Sequence, residues 1–285
     1  MKTFAIDIGG TKFSVAAFDR HRIMLRESRA TKREGGPEWL CSQIEEIFEY
    51  WKESQGFKPD RVGIGFGGPV DFERQTITLS THVEGWQGFP LVDRIEAIAG
   101  PRPVMDNDAN VGALGEYRFG AGERADPMFY MTLSTGIGGG IVSRSRVYHG
   151  ADSFAGELGH LTIRPDGPEC LCGSFGCYER ICCGLWLERD YGRPAHELLA
   201  DEEFVSRYVV DLALGLKSAI MILNPARIVI GGGISKAGDK LFTPLRAELR
   251  RQITSWSRAR IEVLPARLGD DSVLYGATLL ATGEY

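Results

Sequence analysis

The chain has 285 residues, which corresponds to about two domains of ~150 residues and is enough to enclose a hydrophobic core. Its 33 basic and 38 acidic residues give a formal charge of −5 with no basic block, which argues against a nucleic-acid surface or a polybasic membrane patch. No apolar run approaches the ~20 residues of a membrane span. A strand-like segment directly follows Met1-Lys2-Thr3, so we expect no signal peptide and a cytoplasmic protein.

Residues 3–8 and 13–18 are apolar runs joined by Gly-Gly-Thr-Lys, which predicts a β-hairpin. Pro37 then opens a helix whose apolar side chains recur at helical spacing as far as Trp51. The other elements predicted in this half are a strand at 61–66, a β-like stretch at 76–79, a helix at 91–99, a strand at 103–105 and a helix at 109–119.

The second half opens like the first. Residues 128–134 are apolar, a glycine-rich turn follows over 135–140, and Ile141-Val142 continues as a strand. This faint repeat predicts a second domain. The later elements are an aperiodic insertion at 157–183, helices at 204–223, 241–252 and 272–283, and strands at 227–230 and 260–264. Alternating strands and helices predict an α/β fold.

Two glycine motifs follow strands of the first half. In Asp7-Ile8-Gly9-Gly10-Thr11-Lys12, the turn is either an ordinary hairpin or a phosphate loop with Mg²⁺ held by Asp7, and the motif alone leaves both open. The second motif runs from Gly63 to Gly68 and matches G-x-G-x-x-G, but Pro69 and a β-like stretch follow it instead of a helix. We therefore expect backbone close to a small ligand there, and no dinucleotide site.

A polar cluster, Asp106-Asn107-Asp108-Ala109-Asn110, lies between a predicted strand and a predicted helix. One Asp at that point is an ordinary helix N-cap, but four polar residues in five exceed what capping needs. Amides and carboxylates together suit the hydroxyls of a sugar. A carboxylate near a hydroxyl is also the minimum for a general base.

Five of the six cysteines lie between residues 170 and 183. His160 with Cys170, Cys172 and Cys177 forms a Cys₃His set typical of structural zinc, and the alternative is a group of free buried thiols. For the remaining three cysteines, Cys41, Cys182 and Cys183, we expect a packing role.

Glycines also follow two apolar strands of the second half, at Ser134-Thr135-Gly136 and at Gly231-Gly232-Gly233. Each is an ordinary glycine turn when taken alone. Ligands of open α/β sheets collect beyond the carboxyl ends of strands. Together with the Gly9-Gly10 turn, these segments predict a nucleotide between two domains.

The chain resembles the ROK family (repressors, open reading frames and sugar kinases) along nearly its whole length. The resemblance rests on Asp7–Lys12, Ser134–Gly140, Gly231–Gly233, and Gly156-Glu157-Leu158-Gly159-His160 followed by Cys170-x-Cys172-Gly173-x-x-Gly176-Cys177-x-Glu179. It implies an actin-like (ribonuclease H-like) two-domain ATPase fold with an interdomain cleft and a zinc-bearing insertion. The implied domains are 1–118 plus 272–285 and 119–271, the second with a zinc loop at 157–183, and the final helix returns to the first domain.

The resemblance also assigns residues. It implies a sugar site at Gly68, Asn107, Asp108, Glu157, His160 and Glu179, with Asp108 as the catalytic base. It implies ATP and Mg²⁺ contacts at Asp7, Gly9, Gly10, Thr11, Lys12, Thr135, Gly136, Gly231 and Gly232. It implies zinc at His160, Cys170, Cys172 and Cys177, so that His160 uses both ring nitrogens. A homodimer is expected as well, and the stretch at 184–200 is shorter than in many members.

The implied activity is ATP-dependent phosphorylation of a hexose, with glucose O6 as the expected acceptor because Ala155-Gly156-Glu157 is similar to the glucokinase pattern. N-acetylmannosamine, N-acetylglucosamine and other hexoses remain alternatives. A sugar-sensing repressor of the same family would carry an N-terminal helix-turn-helix, and we expect none because the Asp7 motif starts at once. A zinc-bearing interaction scaffold would leave the Asp106–Asn110 cluster unexplained.

Overall fold

Two five-stranded mixed sheets with the same strand order form the framework of the protein. The computed structural model describes residues 1–78, 85–253 and 261–284. In spatial order, the first sheet comprises β3 (Arg22–Ala30), β2 (Lys12–Asp19), β1 (Lys2–Ile8), β4 (Arg61–Phe66) and β7 (Val104–Asn107). The second comprises β10 (Arg146–Val147), β9 (Ile137–Ser143), β8 (Met128–Leu133), β11 (Arg227–Gly231) and β12 (Glu262–Pro265). The repeat predicted from the sequence is thus a repeat of topology, and the predicted α/β class is confirmed.

In each sheet the first three strands are antiparallel and the last two run parallel to the central strand. A small separate hairpin pairs β5 (Val70–Asp71) with β6 (Thr76–Ile77). It follows Gly68 and Pro69, where the sequence predicts a β-like stretch instead of the helix of a dinucleotide-binding site. Residue 79, the end of the β-like stretch predicted there, lies outside the described residues.

Helices form three layers around the two sheets. On the outer face of the first sheet lie α1 (Gly36–Gln55) and α2 (Leu91–Ala99), and on the outer face of the second lie α7 (Glu202–Leu223) and α8 (Asp239–Gln252). Between the sheets lie α3 (Asp108–Phe119) and α9 (Ser272–Thr282). Three short helices, α4 (Tyr178–Cys182), α5 (Gly184–Tyr191) and α6 (Ala195–Leu198), precede α7. Within the described ranges, no helix combines the length and apolar character needed to cross a bilayer.

Alternation of side chains along the strands produces these layers. In β1, Phe4 and Ile6 face the outer helices, whereas Ala5 faces the α3 and α9 layer. Small residues on that inner face allow the helix backbones to approach closely. A Cβ placed on Gly63 of β4 would lie 2.0 Å from the Ala277 carbonyl oxygen of α9. Some of the chain's 36 glycines therefore serve the packing of helices against the sheet.

The structure corrects the sequence prediction at three places. Gly138–Gly140 lie inside β9, and only the preceding residues turn, because a Cβ on Gly140 would meet the Ala109 carbonyl oxygen of α3 at 2.5 Å. β3 was not predicted because its residues alternate between exposed and half-buried positions, as on a sheet edge. The helices α5 and α6 were not predicted either. Residue 260, the start of the last predicted strand, lies outside the described residues.

Candidate active site

Two acidic residues of the first half, Asp7 and Asp108, meet at one edge of its sheet. Strands β1, β4 and β7 are parallel neighbours, so their carboxyl ends bring together Asp7, the Gly67 loop and Asp108. The Gly67 amide donates to the Ile8 carbonyl oxygen at 2.7 Å. A Cβ on Gly67 would lie 3.5 Å from Asp108 Oδ2, so this glycine keeps the space in front of the carboxylate open.

Asp108 is the first residue of α3 and its carboxyl group lies in the cleft. Burial, together with the charge of Glu157 from the second half, raises the pKa of Asp108 to about 7, even though backbone hydrogen bonds lower it. Such a carboxyl group exchanges its proton near neutral pH, as a general base must.

Asn107 is the N-cap of α3. Its Oδ1 accepts from the Ala109 and Asn110 amides at 2.9 and 3.4 Å, and its Nδ2 donates to the Gly68 carbonyl oxygen at 3.0 Å. The amide thus fixes the helix start and the Gly68 loop to each other, and it still has a second Nδ2 hydrogen to offer.

Asp106 turns inward and is only 1% exposed. Its Oδ1 accepts from the Asn107 amide at 2.7 Å and from Asn110 Nδ2 at 3.1 Å, and its Oδ2 lies 2.7 Å from His149 Nε2. With both oxygens engaged, Asp106 is a buried support for the cluster. His149 had no signal in the sequence, because it is a lone histidine in a loop far along the chain.

Asp7 occupies the end of β1 beside the first glycine turn. Burial, together with the charge of Asp108, raises its pKa to about 8, even though the charge of Lys12 lowers it. The turn is closed by the Gly9 amide, which donates to the Lys12 carbonyl oxygen at 3.0 Å. The predicted hairpin is thereby confirmed. Lys12 Nζ reaches Asp270 at 3.0 Å, an acidic partner that the sequence did not reveal.

The glycine turns of both halves border one cavity of about 610 Å³. Its lining includes Thr11 of the first turn, Thr135 of the second and Gly233 after β11, together with the cations Arg33 and Lys236.

Gly231 and Gly232 of the third turn have packing roles close to that cavity. A Cβ on Gly231 would lie 2.3 Å from the Tyr130 hydroxyl. Gly232 has a φ of +87° and leaves no room beside the Leu133 carbonyl oxygen. Gly10 belongs to the first turn, and its carbonyl oxygen accepts from Arg33 Nε at 3.3 Å.

The insertion of the second half adds two acids to the cleft. Glu157 carries a pKa raised by burial and by the charge of Glu179, while His160 lowers it. Glu179 is 7% exposed, and its Oε2 accepts from the Ile137 amide at 2.8 Å. The carboxylate of Glu157 is therefore close enough to interact with that of Glu179 and, across the cleft, with that of Asp108.

Four side chains of this insertion converge as the Cys₃His pattern predicts. The donor atoms of His160, Cys170, Cys172 and Cys177 all lie within 4.8 Å of one another. Two of the separations are 3.6 Å, between the Sγ atoms of Cys172 and Cys177, and 4.0 Å, from Cys170 Sγ to His160 Nδ1. Ligands bound tetrahedrally at ~2.3 Å stand about 3.8 Å apart, so the four side chains fit one zinc ion. Cys41, Cys182 and Cys183 are buried in the packed interior.

The repeated sheets and the shared cavity define an α/β protein of two structurally similar halves that border one cavity. A family model described as "ROK family" matches residues 3–284. The chain belongs to the ROK family.

Individual family members are similar over their full lengths. A glucokinase of Thermotoga maritima is 33% identical over 97% of this chain and 96% of its own. An N-acetylmannosamine kinase of Salmonella typhi is 30% identical over 100% and 99%. The crystal structure of a ROK family glucokinase from Streptomyces griseus in complex with glucose and AMPPNP has a TM-score of 0.86 at 31% identity, covering 99% of this chain and 100% of that chain.

Proposed function

We propose that the protein is an ATP-dependent hexose kinase that phosphorylates glucose at O6. The observation that carries the proposal is the carboxyl group of Asp108, half-buried in the cleft with a pKa raised to about 7. The full-length similarity to a glucokinase, and to a glucokinase structure that holds glucose and an ATP analogue, supports it.

In this reaction Asp108 accepts the proton of the attacking hydroxyl as the oxygen bonds to the γ-phosphorus of ATP and ADP departs. The sugar is held by Gly68, Asn107, Asp108, Glu157, His160 and Glu179. Three of these are carboxylates in one cleft, which accept hydrogen bonds from several hydroxyls and thereby orient the ring. Asn107 Nδ2 donates to the Gly68 carbonyl oxygen at 3.0 Å. This hydrogen bond fixes the Gly68 loop of the sugar site relative to the base, Asp108.

The nucleotide occupies the cavity between the glycine turns, with Gly9, Gly10, Thr11 and Lys12 on one side and Thr135, Gly136, Gly231 and Gly232 on the other. Backbone amides of such turns suit phosphate oxygens. Asp7 is the residue that would hold Mg²⁺, an ion that neutralises charge on the phosphates. The raised pKa of Asp7 supports this assignment, because a buried carboxyl beside Asp108 gains most from a nearby cation.

The fold proposed for this activity is actin-like. One domain comprises 1–118 and 272–285, and the other comprises 119–271 with the zinc loop at 157–183. Packing of α9 against α3, β4 and β1 supports assigning the last helix to the first domain. Closure of the domains over the sugar would exclude water. We further propose a cytoplasmic homodimer.

The Cys₃His cluster is proposed to hold structural zinc through His160, Cys170, Cys172 and Cys177. All four positions of a tetrahedral ion are then filled by protein, so the zinc stabilises the loop and takes no part in phosphoryl transfer. Because Nδ1 of His160 faces Cys170, its other ring nitrogen is available to the sugar.

A coupled ADP-release assay with glucose, mannose, N-acetylmannosamine and N-acetylglucosamine tests the proposal. Glucose should give the highest kcat/KM. N-acetylmannosamine is the second candidate, because a kinase named for it is 30% identical over the whole chain. Activity on none of these sugars would contradict the proposed function.

A further inference from the structure

His149 connects the two halves of the molecule next to the candidate base. Its Nε2 lies 2.7 Å from Asp106 Oδ2 at the end of β7. Its ring also stacks on Phe72, with 4.1 Å between centroids and 14° between planes. Phe72 lies in the turn between β5 and β6, and its amide donates to Ser153 Oγ of the second half at 3.1 Å. Three contacts thus join the loop at 148–157 to the first half.

The same histidine also shapes its own loop. The His149 carbonyl oxygen accepts from the Ala155 amide at 3.1 Å, which closes the turn immediately before Gly156 and Glu157. Gly156 has a φ of +96° and fits tightly against the Gly139 carbonyl oxygen. The position of the Glu157 backbone is consequently determined from both sides, by His149 and by β9.

On the other side of the hydrogen bond, Asp106 sets the conformation of the strand end. Its Oδ1 accepts from the Asn107 amide at 2.7 Å and holds Asn110 of α3 at 3.1 Å. Asp108 directly follows Asn107, so the direction of its side chain depends on this junction. The Asp106 carboxylate is only 1% exposed, so its position depends on its hydrogen-bond partners. His149 is the partner of its second oxygen, Oδ2.

We propose that His149 is a positioning residue for the hexose kinase reaction, fixing Asp108 and Glu157 relative to each other through Asp106. The inference rests on the proposed function. The His149 side chain, 22% exposed, supports the sugar site from behind. It should therefore affect sugar use much more than nucleotide use.

The test compares His149→Phe, which keeps the ring on Phe72 but removes the Nε2 hydrogen bond, with His149→Gln, whose amide can still donate to Asp106. His21→Phe is the matched control, because His21 also contacts a phenylalanine ring, Phe119, but on the exposed surface. We expect His149→Phe to lower kcat/KM for glucose at least tenfold with a raised KM for glucose. The KM for Mg·ATP should stay within twofold, His149→Gln should recover most of the loss, and the control should match wild type.

Two further measurements separate this role from general stability. In a double-mutant cycle, Asp106→Asn combined with His149→Phe should be no worse than the poorer single variant, since both remove one interaction. Backbone amide NMR signals of Glu157 and of Asp108 should both shift in His149→Phe and stay in place in His21→Phe.

Several outcomes would overturn the proposal. They are a His149→Phe enzyme within twofold of wild type for glucose, a His149→Gln variant as impaired as His149→Phe, an equal rise in the KM for Mg·ATP, or NMR signals that do not move. If wild type phosphorylates no hexose, the proposed function fails. The NMR comparison then still decides whether His149 fixes the two segments.

Discussion

The two sheets share one strand order but differ in the residues that follow their strands. In the first sheet, Asp7 lies at the end of β1, and Asp108 directly follows β7. In the second sheet, β8 and β11 lead into hydroxyls and glycines, at 134–136 and 231–233. One topology thus presents carboxylates at two strand ends of the first sheet, beside the glycine turn at Gly9-Gly10, and hydroxyls and glycines at the corresponding strand ends of the second.

This difference shows that the strand framework and the chemically reactive residues depend on different features of the sequence. The burial of both faces of each sheet follows from the alternation of side chains along the strands, which both halves share. Proton transfer requires a carboxyl with a suitable pKa, and burial raises those of Asp7 and Asp108 to about 8 and about 7. Glycine turns supply only N–H donors, which suit phosphate oxygens.

The edge strands β3 and β10, which occupy equivalent positions in the two sheets, differ as well. β3 has nine residues, whereas β10 has two and is followed by the segment that holds Glu157 and the cysteines. The second half therefore supplies its carboxylates from an insertion and not from a strand end. The same insertion carries the four side chains of the Cys₃His cluster.

The largest expected effect comes from substitution of Asp108, the proposed base. Asp108→Asn keeps the shape and most hydrogen bonds of the side chain but removes its basicity, so kcat should fall by about 10²–10⁴-fold. The dissociation constant of glucose, measured by calorimetry, should change by about tenfold or less, because the amide still meets a hydroxyl. A variant that retains more than about a tenth of wild-type kcat would contradict the role of Asp108.

Loss of the metal cluster should affect stability and sugar binding together. Cys172→Ser should reduce bound zinc from about one per chain to none, as measured by elemental analysis, and lower the free energy of unfolding by about 2–5 kcal/mol. Glucose binding should weaken because the loop orders Glu157 and Glu179. Cys41→Ser, in α1 of the other half, is the control and should keep its zinc. Full activity without zinc would show that the cluster has another role.

The turn at Asp7–Lys12 and the turn at Ser134–Gly136, both proposed to bind phosphate, can be compared directly. Asp7→Asn should raise the KM for Mg·ATP by about 10–100-fold with little change in glucose affinity, since it removes the proposed Mg²⁺ partner. Thr135→Ala removes only a hydroxyl from the opposite turn and should raise that KM about two- to fivefold. Steady-state kinetics at varied Mg²⁺ concentration measures both. Equal effects of the two substitutions would contradict the contrast between the turns.

The smallest effect concerns stability of the ligand-free protein. Folding raises the pKa of Asp108 from 3.8 to about 7, so the folded state binds this proton more tightly than the unfolded chain does. The stabilising contribution is complete below pH ~4 and is lost as the pH rises to about 7.

Asp108→Asn should accordingly increase the free energy of unfolding by about 1–3 kcal/mol at pH 8 and by much less at pH 4. Urea unfolding at the two pH values measures this. Asp106→Asn, which disturbs a fully partnered carboxylate, should destabilise the protein at pH 8. The same sign for both variants would show that hydrogen-bond partners do not distinguish the two acids.

The sequence itself determined much of the fold and most of the candidate site. Helix α1, the strand at 61–66 and the helix at 91–99 follow from apolar spacing, punctuated by proline and glycine. The Cys₃His set was recognisable because its ligands are close together in the chain. The pair Asn107 and Asp108 stood out because four polar residues in the five from Asp106 to Asn110 exceed what capping a helix needs.

Only the tertiary structure decided which polar residue does what. It turned Asp106 inward, made Asn107 the N-cap of α3, and brought His149, 43 residues beyond Asp106, to within 2.7 Å of it. It also assigned Gly138–Gly140 to a strand, where Gly138 and Gly140 leave room for α3 and Gly139 for the Gly156 carbonyl oxygen. These outcomes depend on contacts between segments far apart in the chain, and neither periodicity nor spacing along a single sequence encodes such contacts.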